Sequence, residues 1–306
     1  MTTSRRGRHV ALLVSIFGVF VSAVALAAPV TLTDARGVRV RITDASRIVT
    51  LGSAVTETVA ALGAGDRLVG VDASSSYPAE ALAELPRTGY VRSVGAEGVL
   101  ALAPTLVLGT EDVGPPEVID QITSAGVPVV IVPEEDSFAG AVARVEFIAR
   151  AIDAEGEARR VVSRMSEEEA RTSELVSAIP PDERMRVLFV YARGVGALSV
   201  SGTGTSADAI IGLAGGENAV TEFSGYRPLT AEAVIGAAPD VLLFFDSGLA
   251  SIGGRSALAE IPGIDQTPAW AEGGILAFPG DFLLNFGPRT GAAALALAEA
   301  LYDAAP

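Results

Sequence analysis

Gly89-Tyr90-Val91-Arg92-Ser93-Val94-Gly95-Ala96-Glu97-Gly98-Val99-Leu100 runs through Pro104 into the apolar stretch Leu106-Val107-Leu108. The same succession returns further along the chain. Thr230-Ala231-Glu232-Ala233-Val234-Ile235 runs through Pro239 into Val241-Leu242-Leu243, and Glu97/Glu232, Pro104/Pro239 and both apolar stretches share one offset of 135 residues. Gly225-Tyr226-Arg227 stands ahead of the second copy as Gly89-Tyr90-Val91-Arg92 stands ahead of the first. A short helix stopped by proline and followed by a buried strand is one half of a β–α alternation. Its recurrence predicts two similar lobes facing each other.

Around these anchors, short apolar runs alternate with helical segments. Ile48-Val49-Thr50-Leu51, Leu68-Val69-Gly70-Val71 and Val129-Val130-Ile131-Val132 read as buried strands, and residues 53–62 and 115–125 as helices. Residues 30–43 alternate as a hairpin around Asp34-Ala35-Arg36-Gly37. In the second half, residues 187–191 and 198–200 read as paired strands and 206–213 as a helix closed by Gly215-Gly216. From Phe138 to Ile179 there is no strand signal and no proline, and the apolar positions Val161, Met165 and Leu175 fall at helical spacing. The pattern predicts an α/β protein of two Rossmann-like lobes, 28–153 and 180–306, bridged by one long helix at 154–179. Such lobes leave a single cleft for a ligand.

The N-terminus reads as an export signal. Arg5, Arg6 and Arg8 precede an apolar run from Val10 to Leu26, which closes in Ala25-Leu26-Ala27. Cleavage after Ala27 gives a periplasmic protein and takes away three arginines and no acid, so the formal charge of −15 becomes about −18. With no lysine in the chain, such a surface repels nucleic acid and anionic membranes and suits a basic protein partner. There is no cysteine, hence no disulfide and no lipid-modified N-terminal cysteine.

The only histidine, His9, lies in the signal segment. The mature chain therefore lacks the side chains of the usual zinc, copper, iron–sulfur and Ser-His-Asp sites. What it offers a haem iron is phenol oxygen and a few methionine sulfurs. Tyr90 with Arg92 two residues on is the leading pair: a guanidinium favours phenolate, and tyrosinate is an established ligand of haem iron. Tyr226 with Arg227 is the rival pair, and Arg227 could equally grip a carboxylate in two-pronged fashion. Tyr77 and Tyr191 stand off the repeated loop. Gly202-Thr203-Gly204-Thr205-Ser206-Ala207, with Glu222 beyond it, matches a dinucleotide fingerprint on paper. It follows a hairpin in mid-chain, which leaves a nucleotide-dependent exported enzyme as the disfavoured alternative.

Gly89-Tyr90-Val91-Arg92 with Ala96-Glu97-Gly98-Val99-Leu100, Leu213-Ala214-Gly215-Gly216-Glu217-Asn218-Ala219 and Phe286-Gly287-Pro288-Arg289-Thr290 resemble the periplasmic haem-binding proteins of bacterial haem ABC importers. Those belong to the wider class that carries haem, cobalamin and ferric siderophores, and the resemblance spans nearly all of the mature chain. It implies a class III binding protein, not an enzyme, that holds haem b as transported cargo. Tyr90 would be the axial ligand of the iron, Arg92 its hydrogen-bonding partner, and Glu97 and Glu217 the acids that meet an inner-membrane permease with its ATPase. Glu57 and Glu232 are substitutes for those acids. A monomer is implied, with an outer-membrane haem receptor upstream. Cobalamin or a ferric siderophore is the alternative cargo.

Overall fold

The computed structural model describes residues 29–302, so the export segment read at 1–27 lies outside the described residues. The chain begins with the antiparallel hairpin β1 (Val30–Thr33) and β2 (Arg39–Ile42), turned at Asp34. The first sheet follows: β3 (Ile48–Leu51), β4 (Leu68–Val71), β5 (Leu106–Gly109) and β6 (Val129–Ile131), all parallel in the order β4-β3-β5-β6. Every residue of β3, β5 and β6 is buried. That is the signature of strands covered by helices on both faces.

The second sheet mixes directions. Strands β7 (Arg186–Ala192), β8 (Leu198–Ser201), β9 (Glu217–Asn218), β10 (Tyr226–Pro228), β11 (Val241–Phe245) and β12 (Ile275–Phe278) form the order β10-β8-β7-β11-β12, with β9 beside the start of β7. β7, β11 and β12 are parallel, whereas β8 and β10 are antiparallel additions. Alternation along β7 sends Leu188 and Val190 into one core with the helix Ala231–Ala237. Val187 and Phe189 enter another, with the helices Ser206–Leu213 and Thr290–Tyr302.

Between the two sheets in sequence lies the helix Glu155–Ser177, 23 residues and about 34 Å long. Ala158, Val161 and Met165 pack into the first core, and Leu175 packs against the second. The helix Thr290–Tyr302 runs against it. One rigid rod thus shares its two ends between two cores. Among the described residues no helix is long and apolar enough to cross a membrane.

The segment 281–290 locks the sheets together from below. Ser53 Oγ donates to Asn285 Oδ1 at 2.6 Å, and Ser76 Oγ donates to Asp281 Oδ2 at 2.7 Å. Arg144, 2% exposed, donates Nη1 to the carbonyls of Asn285 and Phe286 at 2.9 and 2.5 Å.

Candidate functional site

A cavity of about 660 Å³ opens where the parallel strands end. Gly52, Ser53 and Ala54 line it just past β3, Thr110 and Asp112 past β5, and Glu134, Glu135 and Asp136 past β6. Gly204, Ser206, Leu284 and Asn285 close it from the second lobe. The carboxyl ends of strands in an open α/β sheet are where ligands bind, because loops diverge there. Ser206 Oγ donates to Asp136 Oδ2 at 2.5 Å across the opening. Burial pushes the Glu134 carboxyl above its ordinary value, against the opposing pull of Arg144. Burial likewise pulls the Arg144 guanidinium down, and Glu134 opposes that shift.

Tyr90 and Arg92 form part of the cavity wall. The loop is set by Gly89, whose φ of +102° suits glycine, and whose Cβ, if present, would press on the Ser93 carbonyl at 3.3 Å. Ser93 N–H donates back to Tyr90 O at 2.7 Å, closing a short helical turn over Val91–Ser93. Val91 and Val94 are buried beneath it, so Tyr90 and Arg92 are left outward. Tyr90 is 43% exposed, and Arg92 Nη1 donates to its Oη at 3.2 Å. The other guanidinium arm, Nη2, pairs with Asp112.

A second pair of the same spacing stands on the opposite lobe. Tyr191 lies near the carboxyl end of β7, and Arg193 Nε donates to its Oη at 2.6 Å, with the guanidinium 5.1 Å from the ring centroid. Period-two alternation puts Tyr191 on the face of Phe189, above the helix Ser206–Leu213 whose first residue lines the cavity. Its ring meets Phe245 edge-on at 5.9 Å and Tyr226 at 6.2 Å. The 135-residue repeat does not reach Tyr191. Its signal in the sequence is the Tyr-x-Arg spacing shared by Tyr90/Arg92 and Tyr191/Arg193.

Tyr226 and Arg227 are not on a loop. They belong to strand β10, hydrogen-bonded to β8, and adjacent strand residues point to opposite faces. Tyr226 joins Tyr191, whereas Arg227 stacks over Phe223 at 4.5 Å and lines a separate cavity of about 580 Å³ on the far face. The two residues expected to act together therefore part. Burial raises the Tyr226 phenol above its ordinary value despite the hydroxyls of Ser201 and Thr205, and Asp136 adds to the rise.

The family profile described as "Periplasmic binding protein" matches residues 48–281, from the first strand of one sheet to beyond the last strand of the other. The chain belongs to the periplasmic binding protein family. Among solved structures, the apo form of RhuT from Roseiflexus sp. RS-1, a periplasmic haem-binding protein, superposes with a TM-score of 0.81 at 42% identity, over 86% of this chain and 100% of that one. BhuT, a periplasmic haem-binding protein in complex with two haems, gives 0.79 at 38% identity, over 84% and 98%. An uncharacterised ABC transporter substrate-binding lipoprotein of Bacillus subtilis, YvrC, is 28% identical over 277 residues, 90% of this chain and 86% of its own.

In this periplasmic binding protein the four candidate docking acids separate. Glu97 and Glu232 are exposed in the first turns of the helices that descend to β5 and β11, at the cleft end of each lobe. Glu217 sits on β9 beside Arg186, where β7 begins, at the opposite end from the cleft. Glu57 is 2% exposed and bound by Arg289. The repeat partner of Glu97 is thus Glu232, as the 135-residue offset itself states. The nucleotide-like glycines also have a local reason. A Cβ on Gly202 would overlap the Phe223 carbonyl, and Thr205 Oγ1 accepts from Asp208 N–H at 3.0 Å to cap the helix.

Proposed function

We propose that the protein captures ferric haem between its lobes, with Tyr90 as the iron ligand on one jaw and Arg92 as its hydrogen-bond donor. The observation that carries this is the contact between Arg92 Nη1 and Tyr90 Oη on the cavity wall, in a described chain that holds no histidine or cysteine. Phenolate is a hard anionic ligand suited to ferric iron, and the Arg92 guanidinium donates a hydrogen bond to that oxygen. Tyr191 with Arg193 is the matching pair on the second jaw, and it supports either a sixth ligand or a ligand to a second haem. Tyr226 serves as the wall against which Tyr191 rests, and Arg227 lies outside the site. Among the described residues the two methionines offer no competition, since Met165 is fully buried in the first core and Met185 lies at the strand-start end of the second lobe.

The protein is the substrate-binding component of an ABC importer, and its relatives bind and carry rather than catalyse. We read it as a monomer of 28–306 released into the periplasm by cleavage near Ala27, with haem b as cargo passed on from an outer-membrane receptor. Glu97 and Glu232, at equivalent places on the two lobes, are the acids we assign to the permease. Paired carboxylates on both lobe ends let basic pockets fix the docking register.

Cobalamin or a ferric siderophore is the alternative cargo within the same class. A competition titration separates them. Hemin should quench the fluorescence of Trp270 and the cleft tyrosines to saturation at one or two equivalents, and cyanocobalamin and ferric siderophores should neither quench nor displace it. Saturable cobalamin binding that hemin cannot outcompete would reassign the cargo.

A further inference from the structure

Arg92 is a shared residue. One guanidinium arm reaches Tyr90 Oη at 3.2 Å and the other pairs with Asp112, which lines the same cavity. The two loops that carry this contact are stitched by backbone hydrogen bonds. Gly114 N–H donates to Val91 O at 3.1 Å and Val94 N–H donates to Gly114 O at 3.0 Å, one bond on each side of Arg92. Val113, the residue after Asp112, is buried in the same core as Val91 and Val94. The backbone thus brings Asp112 and Arg92 together, so their contact does not depend on two free side chains meeting by chance.

Both side chains are more than half exposed, so the ion pair adds little to stability. Its consequence is geometric. An unrestrained arginine samples many rotamers, but a planar guanidinium held at one nitrogen has few orientations left for the other. We propose that Asp112 is a positioning residue for the Tyr90 site, holding Arg92 so that one N–H stays on the tyrosine oxygen and thereby setting how strongly Tyr90 donates to ferric iron. This rests on the haem reading of the cleft. A hydrogen bond to phenolate withdraws electron density that would otherwise go to the metal. The pinned arginine therefore tempers the iron–oxygen bond, which suits a carrier that must also release its cargo. The opposite jaw is built otherwise: Arg193 reaches Tyr191 through Nε and lies over its ring.

The test uses hemin complexes in a Tyr191→Phe background, so that Tyr191 adds no signal. The readouts are the phenolate-to-iron charge-transfer band and the iron–phenolate stretch by resonance Raman. Arg92→Ala should move the band to longer wavelength and raise the stretching frequency. Asp112→Ala should reproduce at least half of both shifts, and the double variant should add nothing to Arg92→Ala. Asp112→Asn keeps an oxygen acceptor in place and should stay near the parent position. If Asp112→Ala leaves the band in place while Arg92→Ala moves it, the positioning role is wrong and the haem site stands. If the parent binds hemin without a tyrosinate signature, Tyr90 is not the iron ligand and the role of Asp112 falls with it; if it forms no saturable complex, the haem reading itself falls.

Discussion

Arg289 forks onto Glu57 beneath the cleft, its Nε donating to Oε1 at 2.6 Å and its Nη2 to Oε2 at 2.9 Å. The carboxylate comes from the first-lobe helix Ser53–Ala61, and the guanidinium from the turn before the second-lobe helix Thr290–Tyr302. The Tyr77 ring lies 3.7 Å from the same guanidinium. A fork of this kind fixes distance and angle together. With Arg144 on the carbonyls of Asn285 and Phe286, it makes the cleft floor a fixed joint, so the jaws above are positioned by construction.

Breaking that joint from one side should be costly. Arg289→Ala leaves Glu57 buried without its partner and should destabilise the fold by about 3–5 kcal/mol. Urea denaturation of the variant against the parent measures it. A midpoint shift no larger than that of a surface substitution would show that the fork is dispensable.

The arginines of the Tyr-x-Arg pairs should behave differently from Arg227. Arg92→Leu should weaken hemin binding about 10- to 100-fold, the usual effect of removing a group that holds a metal ligand. Arg227→Leu should leave hemin affinity unchanged, because its side chain lies on the far face of the sheet. Parallel titrations of the two variants decide whether the strand alternation has been read correctly.

Docking should follow the repeat. Charge reversal at Glu97 or Glu232 should slow association with the permease about tenfold or more without changing hemin affinity. Glu217→Arg should have no such effect, since Glu217 lies at the strand-start end of its lobe. Haem-loaded protein stimulating the ATPase of the reconstituted transporter is the assay.

Acid should loosen the hairpin that opens the chain. Asp34 is buried, which alone would raise its carboxyl. Arg36 and the N–H groups of Ile131 and Val38 overcome that and hold it below the ordinary value. A group depressed in the folded state gives stability that is present above its unfolded value near 3.9 and is lost as pH falls through the folded one. Asp34→Asn should lower stability at neutral pH and flatten the acid limb of the pH–stability curve.

How far the sequence reached is clear at individual residues. The 135-residue repeat located the proline-ended helices and the strands β5 and β11, because a buried strand after a proline stop is a local signal. Strand β12 and the helix Thr290–Tyr302 carry no clear local signal. Gly273-Gly274 and Pro279 fence the four residues of β12 closely, and the Ala-rich helix is so apolar throughout that it shows little periodicity. Tyr226-Arg227 reads as a loop in the sequence because β10 has only three residues and ends in Pro228, a feature of edge strands that weakens their local pattern. Tyr191 escapes the repeat, which aligns the loops before the helices. The second Tyr-x-Arg pair sits instead at the carboxyl end of a strand, and only the fold sets that end beside Tyr226.

The haem reading meets its most direct test in a spectrophotometric titration of the mature protein with ferric hemin. The predicted result is a stoichiometric complex with a Soret band and a phenolate-to-iron charge-transfer band. Tyr90→Phe should diminish the charge-transfer band, and Tyr90→Phe with Tyr191→Phe should abolish it. A complex whose tyrosinate signature survives in that double variant would contradict the assignment of the jaws. The absence of any saturable complex would contradict haem capture itself.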